Sequence, residues 1–437
     1  MDKKTLRDVE LKGKRVVMRV DFNVPMAKDG SGKITDDTRI VAALPSIKYV
    51  LEQGGSLVLM SHLGRPKGVK LGKPVAEGNE AFSLKPVAEA LSAKLGLAVK
   101  FVPDCMAADD VVKALKPGEV ALLENTRFYK AEDGKVKKDD EKKGIHLTDE
   151  EFAAKKAELK AERAEMSKKL ASYGDIYCND AFGTAHRAHA STAVIADYIQ
   201  PAVSGFLLEK EIQFLGDAVE NPVRPFVAIL GGAKVSDKLA VVKALLNKVD
   251  TLIIGGGMAY TFKKAQGLKI GNSLCEDEQV AYCKEMLDAA ASKGIKILLP
   301  VDNVIANKFP ETKDASDIEM KACEGDIPDG WMGLDIGPKS VALFSEAVKG
   351  AKTVVWNGPM GCFEFAPLSK GTYGVCEAVA TVKANGGTSI IGGGDSVSAV
   401  KKSGKAAEMS HVSTGGGASL EFLEGKVLPG VAALTAK

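Results

Sequence analysis

Nowhere in this 437-residue sequence do eighteen apolar residues run together, so no membrane-crossing helix is expected. The N-terminal MDKKTLRDVELKGKR carries charge where a secretory leader needs an apolar stretch, and the C-terminal TAK matches no peroxisomal or retention address. A cytoplasmic protein is expected, with an organellar form whose transit peptide has been removed as the alternative. The seven cysteines include no CxxC pair and have no histidine-rich spacing beside them. This pattern argues against a zinc site or a disulfide framework and fits a reducing compartment. Charge of one sign is also missing: 59 Lys and Arg stand against 57 Asp and Glu, a formal net charge of +2. No global field for nucleic acid exists, and any anion site must be local. The common nucleotide fingerprints are absent too. GxGxxG follows no strand, GxxxxGK[ST] does not occur, and neither HRD nor DFG appears.

What is present is long enough for two separately cored domains. At 45% hydrophobic and 27% charged residues, the chain has the balance of a globular protein. Apolar runs of strand length alternate with amphipathic helical stretches, the pattern of βαβ units and a parallel sheet. The expected fold is α/β: two Rossmann-like three-layer α/β/α domains with mainly parallel sheets, joined by a hinge helix. We set the first domain at 1–199, the connecting helix at 200–220 and the second domain at 221–410. In GFLLEKEIQFLGDAVENP (205–222), Leu208, Ile212, Leu215 and Val219 fall on one helical face before Asn221-Pro222 stops it. An ordinary packed helix would show the same pattern. The segment 130–174 is dense in charge and low in aromatics, and reads as a solvated loop followed by a surface helix opened by the capping box Thr148 and Glu151. A partner-binding role is the alternative there.

The ends of the strand-like runs differ between the halves. In the first half, RVVMRVDFNVP, SLVLMSHLGRP, VALLENTRF and DIYCNDAFGTAHRAH end in Arg, His, Asp and Asn. In the second, FVAILGGAKV, TLIIGGGMA, TVVWNGPMG and TSIIGGGDS end mostly in glycine. Ligands of open α/β sheets sit beyond the carboxyl ends of strands, so each half should hold a different ligand. Glycine after a buried strand lets the backbone approach phosphates and turn into a helix whose first N–H groups face them. GGAK, GGG, GGGD and TGGGA (414–418) therefore point to a nucleotide. In GGAKVSDK (231–238), Lys234 and Lys238 lie four apart and are expected to share one face of a helix opening there. Asp395 can cap its helix, hold a Mg²⁺ that bridges phosphates, or do both. Glu364 can accept from ribose hydroxyls.

The first half gathers Arg39, His62, Arg65, Arg127, His186, Arg187 and His189 at strand ends or a helix start. Guanidinium binds carboxylate and phosphate bidentately and keeps its charge, and clustered cations are costly without an anionic ligand. The set points to a phosphorylated acid. Asp21 and Asn23 either orient Arg39 and accept from a substrate hydroxyl or simply close a turn at Pro25.

At this point VVMRVDFNVP, SHLGRP, NDAFGTAHRAH, LGGAKVSDK, IIGGGMA, GWMGLDIGP, VVWNGPMG, IIGGGDS and MSHVSTGGGASLEFLEGKVLPG resemble the blocks of the phosphoglycerate kinase family, in order and across nearly the whole chain. The resemblance implies reversible phosphoryl transfer between 1,3-bisphosphoglycerate and ADP, with 3-phosphoglycerate in the first domain, MgATP or MgADP in the second, and closure about the connecting helix. It also implies a monomer and a last segment, 411–437, that packs back on the first domain. It places the phosphoglycerate on Asp21, Asn23, Arg39, His62, Arg65, Arg127 and Arg187, with His186 beside them. It places nucleotide and metal on Gly232, Ala233, Lys234, Lys238, Gly257, Gly333, Asn357, Glu364, Gly393, Gly394, Asp395 and Ser396, with Asp395 on Mg²⁺. Ser396 stands where many relatives have threonine. Cys362 stands where an aliphatic residue is usual, either as a site of thiol regulation or as an inert filler.

Such chemistry needs no general base, because carboxylate and phosphate are already ionised. It needs alignment and positive charge around the phosphoryl group, for which Arg39, Lys234, Lys238 and the helix start after Gly393-Gly394 are the candidates. The rival readings are a nicotinamide-dependent dehydrogenase and a non-catalytic phosphate-ligand protein.

Overall fold

Runs such as VVMRV and SLVLM are apolar at every position rather than every second one, the signature of strands covered on both faces. In the computed structural model, which describes residues 3–141 and 144–437, they become the middle of a six-stranded all-parallel sheet. Its order is Val99–Val102, Val120–Leu123, Ser56–Met60, Arg15–Val20, Ile176–Asp180 and Ala202–Ser204. Met18, Val20, Leu57 and Leu59 pack there with Ile40, Ala43, Ile47 and Val50 of helix Thr38–Glu52 and Val87, Ala88 and Leu91 of helix Lys85–Leu95. A second six-stranded parallel sheet runs Lys296–Leu298, Thr251–Ile254, Phe226–Leu230, Thr353–Asn357, Thr388–Gly392 and His411–Val412. In each sheet the chain steps outward to one side of its first strand and then resumes on the other. The carboxyl ends beside Arg15–Val20 and Phe226–Leu230 are therefore crevices of the kind that hold ligands.

The chain forms two units, residues 1–212 with 427–437 and residues 213–426. Helix Phe206–Glu220 runs across the boundary and stops before Asn221-Pro222. Its Leu208, Ile212, Leu215 and Val219 are buried, as the periodicity requires. The N-terminus of that helix is held by Asp180, whose Oδ1 accepts from Leu207 N at 2.9 Å and Leu208 N at 3.2 Å. No pattern in the sequence announces this bond, because Asp180 lies 27 residues upstream.

The expectation for 411–437 needs correction. Residues 411–426 belong to the second unit, where His411 and Val412 pair with Ile390 and Ile391 and helix Gly417–Leu423 follows. A buried strand edge there accepts the segment, and only residues from 427 onward join the first unit. Within the charged 130–174 segment, Lys142 and Lys143 lie outside the described residues, as do Met1 and Asp2. Helix Asp149–Ala171 opens with both halves of its capping box, Thr148 Oγ1 accepting from Glu151 N at 3.2 Å and Glu151 Oε2 from Thr148 N at 2.9 Å.

Candidate active site

In the first unit four adjacent strands end in the loops that carry the basic residues. Phe22 N donates to Ser61 Oγ and Gly64 N to Asn23 Oδ1, each at 2.8 Å, lacing the loops after Arg15–Val20 and Ser56–Met60 together. Arg127, beyond Val120–Leu123, donates from Nη1 to Gly64 O at 2.9 Å and so joins the third loop. Arg39, the second residue of its helix, is ion-paired with Asp21. Burial works to raise the Asp21 carboxyl, but the charges of Arg39 and Arg19 and the Asn23 N–H hold its pKa below the usual carboxylate range. Asn23 spends its carbonyl oxygen bracing Gly64, so bracing the turn is an observed use of this residue.

One member of the cluster escaped the sequence reading. Arg19 is 0% exposed and touches His62 Nδ1 at 3.1 Å through Nη2. The available signal was an arginine inside an otherwise apolar strand. Burial and the Arg19 charge push His62 well below the ordinary histidine value, so it is neutral. Burial, with Arg187 and Lys135, takes His186 down to about 4; burial, with Arg127 and Arg19, takes His189 down to about 3. Both ring nitrogens of His189 and the Nε of Arg127 are buried without a hydrogen-bond partner among the described residues. Exposed Arg65, next to Gly64, and exposed Arg187 likewise have no ion-pair or side-chain hydrogen-bond partner among the described residues. Asp21 serves Arg39 and Glu132 lies nearest Arg19, so Arg65, Arg127 and Arg187 are left as excess positive charge. An anion with several oxygens satisfies this arrangement.

In the second unit the loops after Phe226–Leu230 and Thr353–Asn357 press backbone against backbone. Gly231 N donates to Asn357 O at 2.9 Å, and a Cβ on Gly231 would lie 2.0 Å from Pro359 O. Only glycine permits that approach. Gly257 follows the next strand, and its position brings Leu274, 60% exposed, within 3.0 Å of where a Cβ would stand. The exposed aliphatic Leu274 was not singled out by the sequence reading, because a lone leucine carries no motif.

Lys234 and Lys238 do not share a helix face. The helix begins only at Leu239, and residues 235–238 form a turn closed by Lys238 N to Val235 O at 2.8 Å, with Val235 fully buried. Ser236 is tied to Glu276 by its N–H at 2.9 Å and by its hydroxyl, which fixes the turn. Lys238 donates to Asn357 Oδ1, while Lys234 is exposed and Ala233 lies between it and Gly232. Burial brings Lys238 down to about 8 against the opposing pull of Asp237, Asp395 and Glu424.

Gly393, at φ +84, opens helix Gly394–Lys402 beside the Asn357 amide. The first intrahelical bond is Val397 N to Gly393 O, so the N–H groups of Gly394, Asp395 and Ser396 precede the ladder. Asp395 has no side-chain hydrogen bond among the described residues and stands exposed, which removes the capping role from its two alternatives. The Ser396 hydroxyl is committed elsewhere: it donates to Gly392 O and accepts from Gly358 N at 3.0 Å. Gly333 is buried within strand Met332–Ile336, its N–H on Ser273 Oγ at 2.9 Å. Glu364 is exposed. Burial and the Glu364 and Asp335 charges push the Cys362 thiol up to about 12, which favours the inert filler over the reactive thiol. Among the described residues no cluster of three or more His, Cys, Asp or Glu could cage a metal. The exposed Asp395 carboxylate, beside N–H groups that precede the helix ladder, fits Mg²⁺, which commonly takes one or two carboxylates and completes its shell with substrate phosphates and water.

Residues 6–426 match the family model described as phosphoglycerate kinase. A curated protein named phosphoglycerate kinase from Clostridium novyi is 52% identical, with all of both chains covered. Another of that name from Synechococcus elongatus is 51% identical over 99% of each chain. Among solved structures, the phosphoglycerate kinase of Coxiella burnetii superposes with a TM-score of 0.82 at 40% identity, covering 100% of both chains.

Proposed function

This chain belongs to the phosphoglycerate kinase family, and from that premise we propose how its residues divide the work of moving a phosphoryl group reversibly between 1,3-bisphosphoglycerate and ADP. The observation that carries the reading is the excess of guanidinium in the first unit, where Arg65, Arg127 and Arg187 lack carboxylate ion-pair partners among the described residues. The acid's carboxylate and phosphate take that charge, with Asp21 holding Arg39 in place and Asn23 holding the Gly64 turn. His62 is neutral, and its Nδ1 is occupied by Arg19, so it offers an Nε2–H donor rather than a charge.

In the second unit the nucleotide phosphates lie against the N–H groups of Gly394 to Ser396 and against Lys234 and Lys238, within reach of the Gly232 turn. Leu274 and Gly257 give the base an apolar face, and Glu364 accepts from the ribose. Ser396 acts by holding Gly358 and Gly392 together. Gly333 contributes as a packed neighbour of Ser273. Asp395 would hold Mg²⁺, which would supply positive charge to neutralise the phosphates. No residue removes a proton, because both acceptors are already anions. Rate comes from alignment in the absence of bulk water and from the positive charges that Arg39 and Lys238 supply to the transferred group.

The decisive assay couples 3-phosphoglycerate and MgATP to detection of the acyl phosphate: turnover that needs both substrates is expected, and none at all would sink the reading. Because the two substrates bind to different units, the helix Phe206–Glu220 is the proposed hinge for bringing them together. Small-angle scattering should show compaction only with both substrates bound; an unchanged radius under saturation counts against closure. The reading includes a monomer working in the cytoplasm. Seven free thiols suit that compartment, and among the described residues no helix is long and apolar enough to cross a membrane.

A further inference from the structure

Beneath the cationic cluster runs a chain of hydrogen bonds whose direction follows from donor and acceptor chemistry alone. Arg19 and Glu132 are both 0% exposed, yet Arg19 Nη2 and Glu132 Oε1 stand 4.0 Å apart, too far for a direct hydrogen bond. Ser191 makes the connection. Its N–H donates to Glu132 Oε2 at 3.0 Å and its hydroxyl to Oε1 at 2.5 Å. A hydroxyl has one hydrogen, so the remaining lone pairs of Ser191 Oγ are free to accept from Arg19 Nε, which sits at 2.8 Å. Arg19 Nη1 donates to Val20 O, and Nη2 is left for His62 Nδ1 at 3.1 Å. A guanidinium can only donate, so Nδ1 carries a lone pair and the ring proton sits on Nε2.

We propose that Glu132 and Ser191 are positioning residues for phosphoryl transfer, fixing His62 through Arg19 as the Nε2–H tautomer that donates to the bound phosphoglycerate. This rests on the phosphoglycerate reading of the first unit. The carboxylate matters as a double acceptor. Glu132→Gln has only one carbonyl for the two Ser191 donors, so one contact must reverse. If the new amide donates to Ser191 Oγ, the hydroxyl proton loses the acceptor that fixed its rotation and the negative charge behind Arg19 is gone, so Ser191 no longer holds one lone pair on Arg19 Nε–H and Arg19 loosens from His62. Ser191→Ala breaks the same chain by removing the acceptor for Nε while leaving Glu132 charged.

The test reads the His62 ring nitrogens by proton–nitrogen correlation NMR, assigned by their loss in His62→Asn, together with steady-state kinetics. In the parent protein Nδ1 should appear as an unprotonated acceptor and Nε2 as protonated. In Glu132→Gln and Ser191→Ala the tautomer should become mixed, and KM for 3-phosphoglycerate should rise about tenfold, the loss of one hydrogen bond to a charged ligand. KM for MgATP should stay within about twofold, because that site lies in the other unit. If Glu132→Gln does not fold, Ser191→Ala carries the test alone. Parent-like ring signals in a folded variant overturn the proposal, and so does a changed tautomer with an unchanged KM for 3-phosphoglycerate. Failure of the parent to turn over 3-phosphoglycerate would instead overturn the substrate reading, with the ring signals still reporting on the relay.

Discussion

Replacing Arg39 by alanine is expected to lower kcat by at least about a hundredfold, roughly 2.7 kcal/mol of transition-state stabilisation, while the protein stays folded. Arg39 sits at the start of its helix with a third of its side chain exposed, and its fork is held by Asp21, which is itself nearly buried. The guanidinium is thus aimed before substrate arrives and costs little to reorganise. Asp21 retains the Asn23 N–H and the Arg19 charge when Arg39 is removed, so the fold should survive. A coupled assay gives kcat, and a thermal unfolding curve checks the fold. Arg39→Lys should recover only part of the loss, since the ammonium keeps charge without the planar fork. Near-parental turnover in folded Arg39→Ala would take the residue out of the mechanism.

Lys238→Met is expected to cost a comparable factor, about a hundredfold or more, in kcat/KM for MgATP. Lys238 is the better choice of the two lysines because its ammonium is partly buried and fixed on Asn357, whereas Lys234 is exposed. Its pKa of about 8 gives the variant a signature. As pH rises through 8 the ammonium loses its proton, so kcat/KM for the nucleotide should fall about tenfold per pH unit above that point in the parent. The limb should vanish in Lys238→Met, and a limb that persists assigns it to another group. Stability moves the opposite way. The unfolded lysine stays protonated up to its ordinary value, so between pH 8 and that value the unfolded chain binds more protons and the folded state gains stability with pH. Loss of activity in this window is therefore not unfolding.

The alternation of strand-length apolar runs with amphipathic stretches made both parallel sheets legible, because a strand buried on two faces must be apolar at every position. The chemistry was legible for a related reason: arginine and glycine concentrated where those runs stop, and strand ends are where such sheets bind ligands. Local chemistry also announced the Thr148–Glu151 capping box and the end of helix Phe206–Glu220 before Pro222.

Relations between residues distant in sequence were not legible. The spacing of Lys234 and Lys238 suggested a shared helix face, and buried Val235 with the Ser236–Glu276 contact made a turn instead. Asp395 could have capped its helix or not, and only the fold shows that it does not. Residues 411–426 followed a free strand edge into the second unit. Leu274 beside Gly257 and the Glu132–Ser191–Arg19–His62 chain join residues that no motif spans. By itself, the sequence determined which elements form and which chemical groups stand at their ends, since hydrophobic period and turn chemistry act over a few neighbouring residues. The tertiary structure decided which hydroxyls, carboxylates and ring nitrogens are already spoken for, because hydrogen-bond satisfaction inside a packed core depends on whatever the fold brings alongside.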